Sequence, residues 1–516
     1  MPRHCTFVSL LLLLIMPAAE SQPQSLDLVE ATIADLQQAI LNRTITCREI
    51  VEGYIRRIEA YDQASGLNAI TAINPRALDY AAAIDSSIDS GQAQPDLFCA
   101  PLLIKDNFDT FDMVTSGGSV ALAGSIPADD AFMISRLRQA GAIVLAKTNM
   151  AEWAFSPRET VSSSHGRTAN AYDLTRVPAG SSGGTASGVA ASFGVAGMGS
   201  DTGNSIRGPS AHLALFGIRS TLGLTSRDGV IPLSFDRDIA GPMARTVEDG
   251  VRLFNVVAGY DVSDPLSLPG RREPDYRLFL RASGLQGKRL GVFRTLVDQE
   301  DADPEIRQLF VDALVDLEEA GATIVDPFII DNFVQLSEAI PSCGRFRHDV
   351  GQYLRTLPLP PTLDVNELLA RGEFAEESRS AFEFYARFPL DTPPDEWQPP
   401  CPTWPDHPER HRLLESTLEA MNTAGIDALI FPTWSNPPAP IDRARQEYRG
   451  DNSQQLAPDA GLPSLTVPMG FWQNRLPAGL QFVGRPFAEG ILIEMAYAYE
   501  QRTQHRRRPP GFDALP

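Results

Sequence analysis

The chain has 516 residues, 43% of them hydrophobic and 21% charged, which is enough to bury one large core or two moderate ones and excludes a disordered chain. Lysine and arginine number 44 against 65 aspartates and glutamates, giving a formal net charge of -21 with the acids spread along the sequence. That balance argues against a nucleic-acid partner, whose phosphates call for a basic surface.

At the N-terminus Arg3 precedes an apolar run, residues 7–16, after which the chain turns small and polar at Ala18-Ala19-Glu20-Ser21. This is the layout of a secretory signal cleaved near Ser21, and the run is about half of the ~20 residues needed to cross a bilayer. Residues 1–21 are therefore expected to be a signal peptide. The mature chain is expected to be secreted or periplasmic, with no stable membrane span after cleavage. Export removes Cys5 and leaves Cys47, Cys99, Cys343 and Cys401. An even count in an oxidising compartment permits two disulfides in any of three pairings, the alternative being four buried thiols. Asn42-Arg43-Thr44 is a glycosylation sequon, meaningful only in a eukaryotic source.

Two amphipathic helices are predicted at residues 26–41 and 47–60. Asp129 and Asp130 open a third, carrying Phe132, Met133, Leu137 and Ala140, which Gly141 stops before a buried strand at 142–146. The phrase recurs as a helix at 304–320, a stop at Gly321 and a strand at 322–325. Extended apolar runs at 428–431 and 465–467 precede a last helix at 489–501. This alternation argues an α/β architecture around a central sheet. Residues 391–408 hold too many prolines for a helix or strand and are predicted to be a loop. Nothing resembling a linker splits the chain, so a single domain is expected.

The seven histidines are scattered and no HExxH is present, so no metal or other cofactor is called for. A near-match to a phosphate loop at 141–148 fails because Ala146 replaces its second glycine and the intervening residues form an apolar strand. Two Gly/Ser segments carry more, Ala179-Gly180-Ser181-Ser182-Gly183-Gly184-Thr185-Ala186-Ser187-Gly188 and Gly199-Ser200-Asp201-Thr202-Gly203-Asn204-Ser205-Ile206-Arg207-Gly208-Pro209. Within the first, residues 180–184 satisfy GxSxG with Ser182 as nucleophile, but residues 174–178 are short, polar and broken by proline, so the strand that a nucleophile elbow requires is missing. A serine can instead be activated by a lysine whose pKa is depressed by burial. Pro101-Leu102-Leu103-Ile104-Lys105 is an apolar strand delivering one amine into a polar turn.

Lys105 in that setting, the double-serine segment, and Ser205 placed 24 residues after Ser181 together resemble the amidase signature family across nearly the whole mature chain. Supporting phrases are Leu145-Ala146-Lys147-Thr148-Asn149-Met150, Ala240-Gly241-Pro242-Met243-Ala244-Arg245-Thr246-Val247, Ala460-Gly461-Leu462-Pro463-Ser464 and Gly479-Leu480-Gln481-Phe482-Val483-Gly484-Arg485-Pro486. The resemblance implies a mixed sheet covered by helices on both faces. It implies an amidase domain over residues 22–516, with the signature core at about 100–260 and a variable substrate-cavity region at about 262–420.

It further implies a catalytic triad. Neutral Lys105 takes a proton from Ser181, which relays one from Ser205, the nucleophile that attacks the amide carbonyl. The backbone N–H groups of Thr202, Gly203, Asn204 and Ser205 are the expected oxyanion hole. Ser182, Asp201 and Arg207 are expected to support the two loops. Three departures stand out: Asn204 for the family's glycine, tolerable at positive φ; Ala179 for the first glycine of the serine segment; and Ile218-Arg219-Ser220-Thr221 for a lysine-proline version. The phrases at 226–232 and 493–502 look most like the peptide-amidase branch, with fatty and aryl amides left open. The expected partner is thus a small-molecule or peptide amide substrate. The alternatives are the glutamine-hydrolysing subunit of an aminoacyl-tRNA amidotransferase, which does not fit export, and a catalytically silent binding protein of the same fold. The oligomeric state is left open.

Overall fold

The computed structural model describes Met1 and residues 26–358 and 364–515; apart from Met1, the expected signal at 1–21 lies outside the described residues. Among the described residues no helix is long and apolar enough to cross a membrane. The strands are β1 (Ile70–Ile73), β2 (Pro101–Lys105), β3 (Ile143–Thr148), β4 (Val161–Ser162), β5 (Gly166–Arg167), β6 (Ala196–Asp201), β7 (Phe216–Arg219), β8 (Ile239–Ala244), β9 (Arg289–Phe293), β10 (Thr323–Phe328), β11 (Ala428–Pro432), β12 (Ser464–Trp472) and β13 (Leu476–Val483). Eleven of them form one sheet in the order β1-β3-β2-β6-β8-β7-β12-β13-β11-β9-β10, while β4 and β5 pair separately. The sheet is mixed. β2 runs parallel to β3 and β6, and β9 to β10 and β11, whereas the central pairs from β6 through β13 are antiparallel. Helices flank both faces, among them Gly183–Ala190 against β2 and β6, and Val247–Val257 against β8.

Strands β2, β3 and β6 are buried at every position, which is why they read as unbroken apolar or small-residue runs instead of alternating ones. Each of the first two helices opens on a capping box, Thr32 with Asp35 and Thr46 with Glu49. The first box corrects the expected start at residue 26, since Thr32 sets the true beginning, Ile33. The second helix outlasts its expected end at residue 60 and runs to Ser65, where Gly66 at φ 81° ends it. The helix expected from Asp129 begins at Phe132. Asp130 leaves it to accept the Phe111 N–H (3.1 Å) and to pair with Arg138 (3.0 Å). Residues 391–408 are irregular except for a short turn at Pro394–Glu396, until Pro408 opens the helix Pro408–Ala424 at its first turn.

The cysteines pair as Cys47–Cys99 and Cys343–Cys401. The first bond ties the second helix to the segment entering β2, and the second ties the proline-rich loop to the loop at 341–345. Because β2 and β6 are parallel neighbours with Ile104 opposite Met198, both strands end at the same edge of the sheet, bringing Lys105 level with Gly199 and Ser200.

Candidate active site

Lys105 is wholly buried at the end of β2. Its Nζ donates to Ser181 Oγ (2.7 Å) and to Ser200 Oγ (2.8 Å), and Asn107 Nδ2 also donates to Ser200 Oγ (3.0 Å). Burial in this pocket pulls the amine's pKa down, the negative charges of Asp238 and Asp201 restore part of it, and the balance lies at about 7. The site therefore holds a lysine that is half neutral near pH 7.

Ser181 is brought to the amine by a close backbone approach. A Cβ on Gly180 would lie 2.3 Å from the Ser156 carbonyl oxygen and 2.4 Å from that of Glu159, so only glycine fits there. Ala179, the departure one residue earlier, sits at φ 66°, in the left-handed region that explains a glycine at this position. Ser182 Oγ turns away and donates to the Ser200 carbonyl (3.2 Å). No strand leads into Ser182, so the nucleophile-elbow geometry is absent.

The second segment leaves β6 as a tight turn. Asp201, wholly buried, accepts from Arg207 Nε (3.1 Å), Arg219 Nη1 (3.0 Å) and the Ile206 N–H (3.1 Å). Burial alone would raise its pKa, but the two guanidiniums more than offset that and hold it at about 2. Arg207 Nη2 also donates to the Gly203 carbonyl (2.5 Å), locking the turn from its inner side. Among the described residues the backbone N–H groups of Thr202, Gly203, Asn204 and Ser205 donate to no protein acceptor. Buried amides are rarely left unpaired; four in succession form a ready anion cradle. Residues 202–205 line a cavity of about 430 Å³. Its far wall comes from Ile340, Cys343, Tyr385, His407 and Arg410, within the expected variable region, and from Gln454 beyond it.

Two details of the resting geometry stand beside the expectations. The relay requires Ser205 to meet Ser181, yet the Ser205 hydroxyl donates instead to Asn204 Oδ1 (3.4 Å) and makes no hydrogen bond to Ser181. Nor does Asn204 use a positive φ; its departure from glycine is expressed through its side chain. Sequence reasoning also passed over Ser200 and Asn107, the second contact of Lys105 and its support. It passed over Arg219 as a partner of Asp201, and Asp238, which accepts the Thr202 hydroxyl. Ser200 was detectable in principle as a lone hydroxyl beside Asp201 at the end of a small-residue strand.

Comparison with known proteins gives a consistent result. The family description Amidase matches residues 49–493. The chain is 30% identical to a probable amidase of Arabidopsis thaliana, over 94% of this chain and 92% of that protein. It is 32% identical to a glutamyl-tRNA(Gln) amidotransferase subunit of Syntrophus aciditrophicus, over 94% of this chain and all of that one. It also superposes on the peptide amidase of Stenotrophomonas maltophilia with a TM-score of 0.81 and 35% identity, covering 96% of this chain and 100% of that one.

Proposed function

The chain belongs to the amidase signature family of hydrolases acting on carbon–nitrogen bonds other than peptide bonds, and on that premise we propose that it is an exported amidase working through a Ser205 acyl-enzyme. The observation that carries the reading is the buried Lys105–Ser181 pair beside a turn whose four N–H groups have no acceptor among the described residues. With its amine neutral, Lys105 accepts the Ser181 proton as Ser181 accepts that of Ser205, and Ser205 Oγ attacks the carbonyl. The N–H groups of Thr202, Gly203, Asn204 and Ser205 receive the oxyanion. As the tetrahedral intermediate collapses, the C–N bond breaks and the proton held on Lys105 returns through Ser181 to the leaving nitrogen. Water then attacks the acyl carbon, giving a proton to Ser181 as Ser181 passes its own to Lys105; when this second tetrahedral intermediate collapses, the bond from the acyl carbon to Ser205 Oγ breaks and the proton returns through Ser181 to Ser205 Oγ, releasing the acid. No step draws on a metal or cofactor.

Ser200, Asn107, Asp201, Arg207 and Arg219 hold the reacting groups, and Ser182 holds the loop. Amidated peptides and small alkyl or aryl amides are the substrate classes, with peptide amides supported by the 35% identity to a peptide amidase. Export is supported by the N-terminal apolar run and the two disulfides. A second reading, glutamine hydrolysis for a partner, has the 32% relationship to an amidotransferase subunit in its favour. The test is ammonia release from a C-terminally amidated dipeptide, from an aliphatic amide and from free glutamine. Release from the peptide amide that vanishes in Ser205→Ala supports the proposal. Release from glutamine alone supports the second reading.

A further inference from the structure

Asn204 stands where the resemblance places glycine, directly before Ser205, and its side chain is held from outside the turn. Its Nδ2 donates to the Pro157 carbonyl (3.0 Å) and to Asp451 Oδ2 (2.9 Å). Asp451 is itself anchored, its Oδ2 accepting from the Tyr448 hydroxyl (2.9 Å) and its Oδ1 from the Ser453 hydroxyl (2.6 Å). Two acceptors on one side decide which end of the carboxamide faces them, because a flipped amide would set its oxygen against a carbonyl and a carboxylate. The opposite end, Oδ1, is thereby turned to Ser205, whose hydroxyl donates to it at 3.4 Å. A serine hydroxyl has a single proton, so Ser205 donates to Asn204 or to Ser181 and not to both.

We propose that Asn204, oriented by Pro157 and Asp451, is a positioning residue that holds the Ser205 hydroxyl in a resting orientation, so that each turnover begins with transfer of that hydrogen bond from Asn204 to Ser181. The inference rests on the reading of Ser205 as the nucleophile. The exchange is a rotation about the serine side chain; the proton stays on Ser205 Oγ until attack, and no covalent bond changes. Because the competing acceptor is held by contacts within the protein and stays in place with the amide bound, it governs how often Ser205 is ready and not how well the amide binds.

The test is the second-order rate of phosphonylation by a small fluorophosphonate, with the labelled residue located by peptide mapping and the amide kcat and KM measured alongside. Asn204→Gly removes the resting acceptor, and Asp451→Ala lets the carboxamide turn. Each is expected to label ~2- to 10-fold faster than the parent, the worth of one net hydrogen bond, with kcat raised and KM unmoved. Asp451→Asn still offers an oxygen to Asn204 Nδ2 and is expected to bring the rate back toward that of the parent. If Asn204→Gly does not fold, Asp451→Ala carries the test. Equal or slower labelling in the folded variants overturns the inference while parent label on Ser205 leaves the nucleophile reading intact. Absence of parent label on Ser205 overturns that reading itself.

Discussion

Activity should follow the neutral fraction of Lys105. Burial holds that amine at about 7 instead of its ordinary 10.5, so at pH 5 only ~1 in 100 molecules has the free base. The kcat/KM of a chromogenic anilide, measured between pH 5 and 9, is expected to rise ~10-fold per unit below pH 7 and to level above ~8. Lys105→Met removes the base while keeping the volume, and is expected to cost ~10²- to 10⁴-fold in kcat/KM and to abolish the rising limb. Its stability should move the other way. An unfolded lysine binds a proton that the buried one sheds, so Lys105 costs stability at neutral pH, and the cost shrinks as pH rises from about 7 toward 10.5. At pH 7 this is ~4 kcal/mol, and Lys105→Met should therefore unfold at no lower urea concentration than the parent. A flat pH profile, or a limb near pH 7 that persists in the variant, would refute the assignment of Lys105 as the base.

Asp201→Ala leaves Arg207 and Arg219 buried without their counter-charge, and denaturant unfolding is expected to show a loss of ~3–5 kcal/mol; a loss under ~1 kcal/mol would mean that solvent reaches the pair. Gly180→Ala drives a Cβ into two carbonyl oxygens, so it should destabilise by ~1–3 kcal/mol and also lower kcat by displacing Ser181. Parent-like activity in that variant would show that the loop can shift freely. Replacing Cys343 and Cys401 together by serine reopens a loop with a sequence separation of 58. The expected cost is ~2–4 kcal/mol, with KM rising because Cys343 lines the cavity, and an unchanged KM would place the substrate elsewhere.

Much of this was legible in the sequence, and the limits have physical causes. The run ending in Lys105 was readable because a strand buried on both faces is continuously apolar, which makes a terminal lysine conspicuous. Helix ends were misplaced where a side chain chose between a cap and a tertiary partner: Thr32 caps, whereas Asp130 leaves the helix for Phe111 and Arg138. The disulfide pairing was closed to sequence because the three pairings differ only in three dimensions. Ser200 and Arg219 escaped notice since their importance comes from strand register, β2 against β6 and β7 beside β8, and not from any local pattern. The far wall of the cavity drew on residues scattered from Ile340 to Gln454, none with a periodic signature. Asn204 was recognised as a departure, but its effect was sought in the backbone, whereas the structure expresses it through a carboxamide aimed at Ser205.

Whether Ser205 is the nucleophile is tested by mass spectrometry of proteolytic peptides after reaction with a fluorophosphonate. One phosphonyl adduct is expected, on Ser205, lost in Ser205→Ala and much slowed in Lys105→Met. An adduct on Ser182 or Ser181 in the parent, or labelling of the Ser205→Ala protein at the parent's rate, would contradict that assignment.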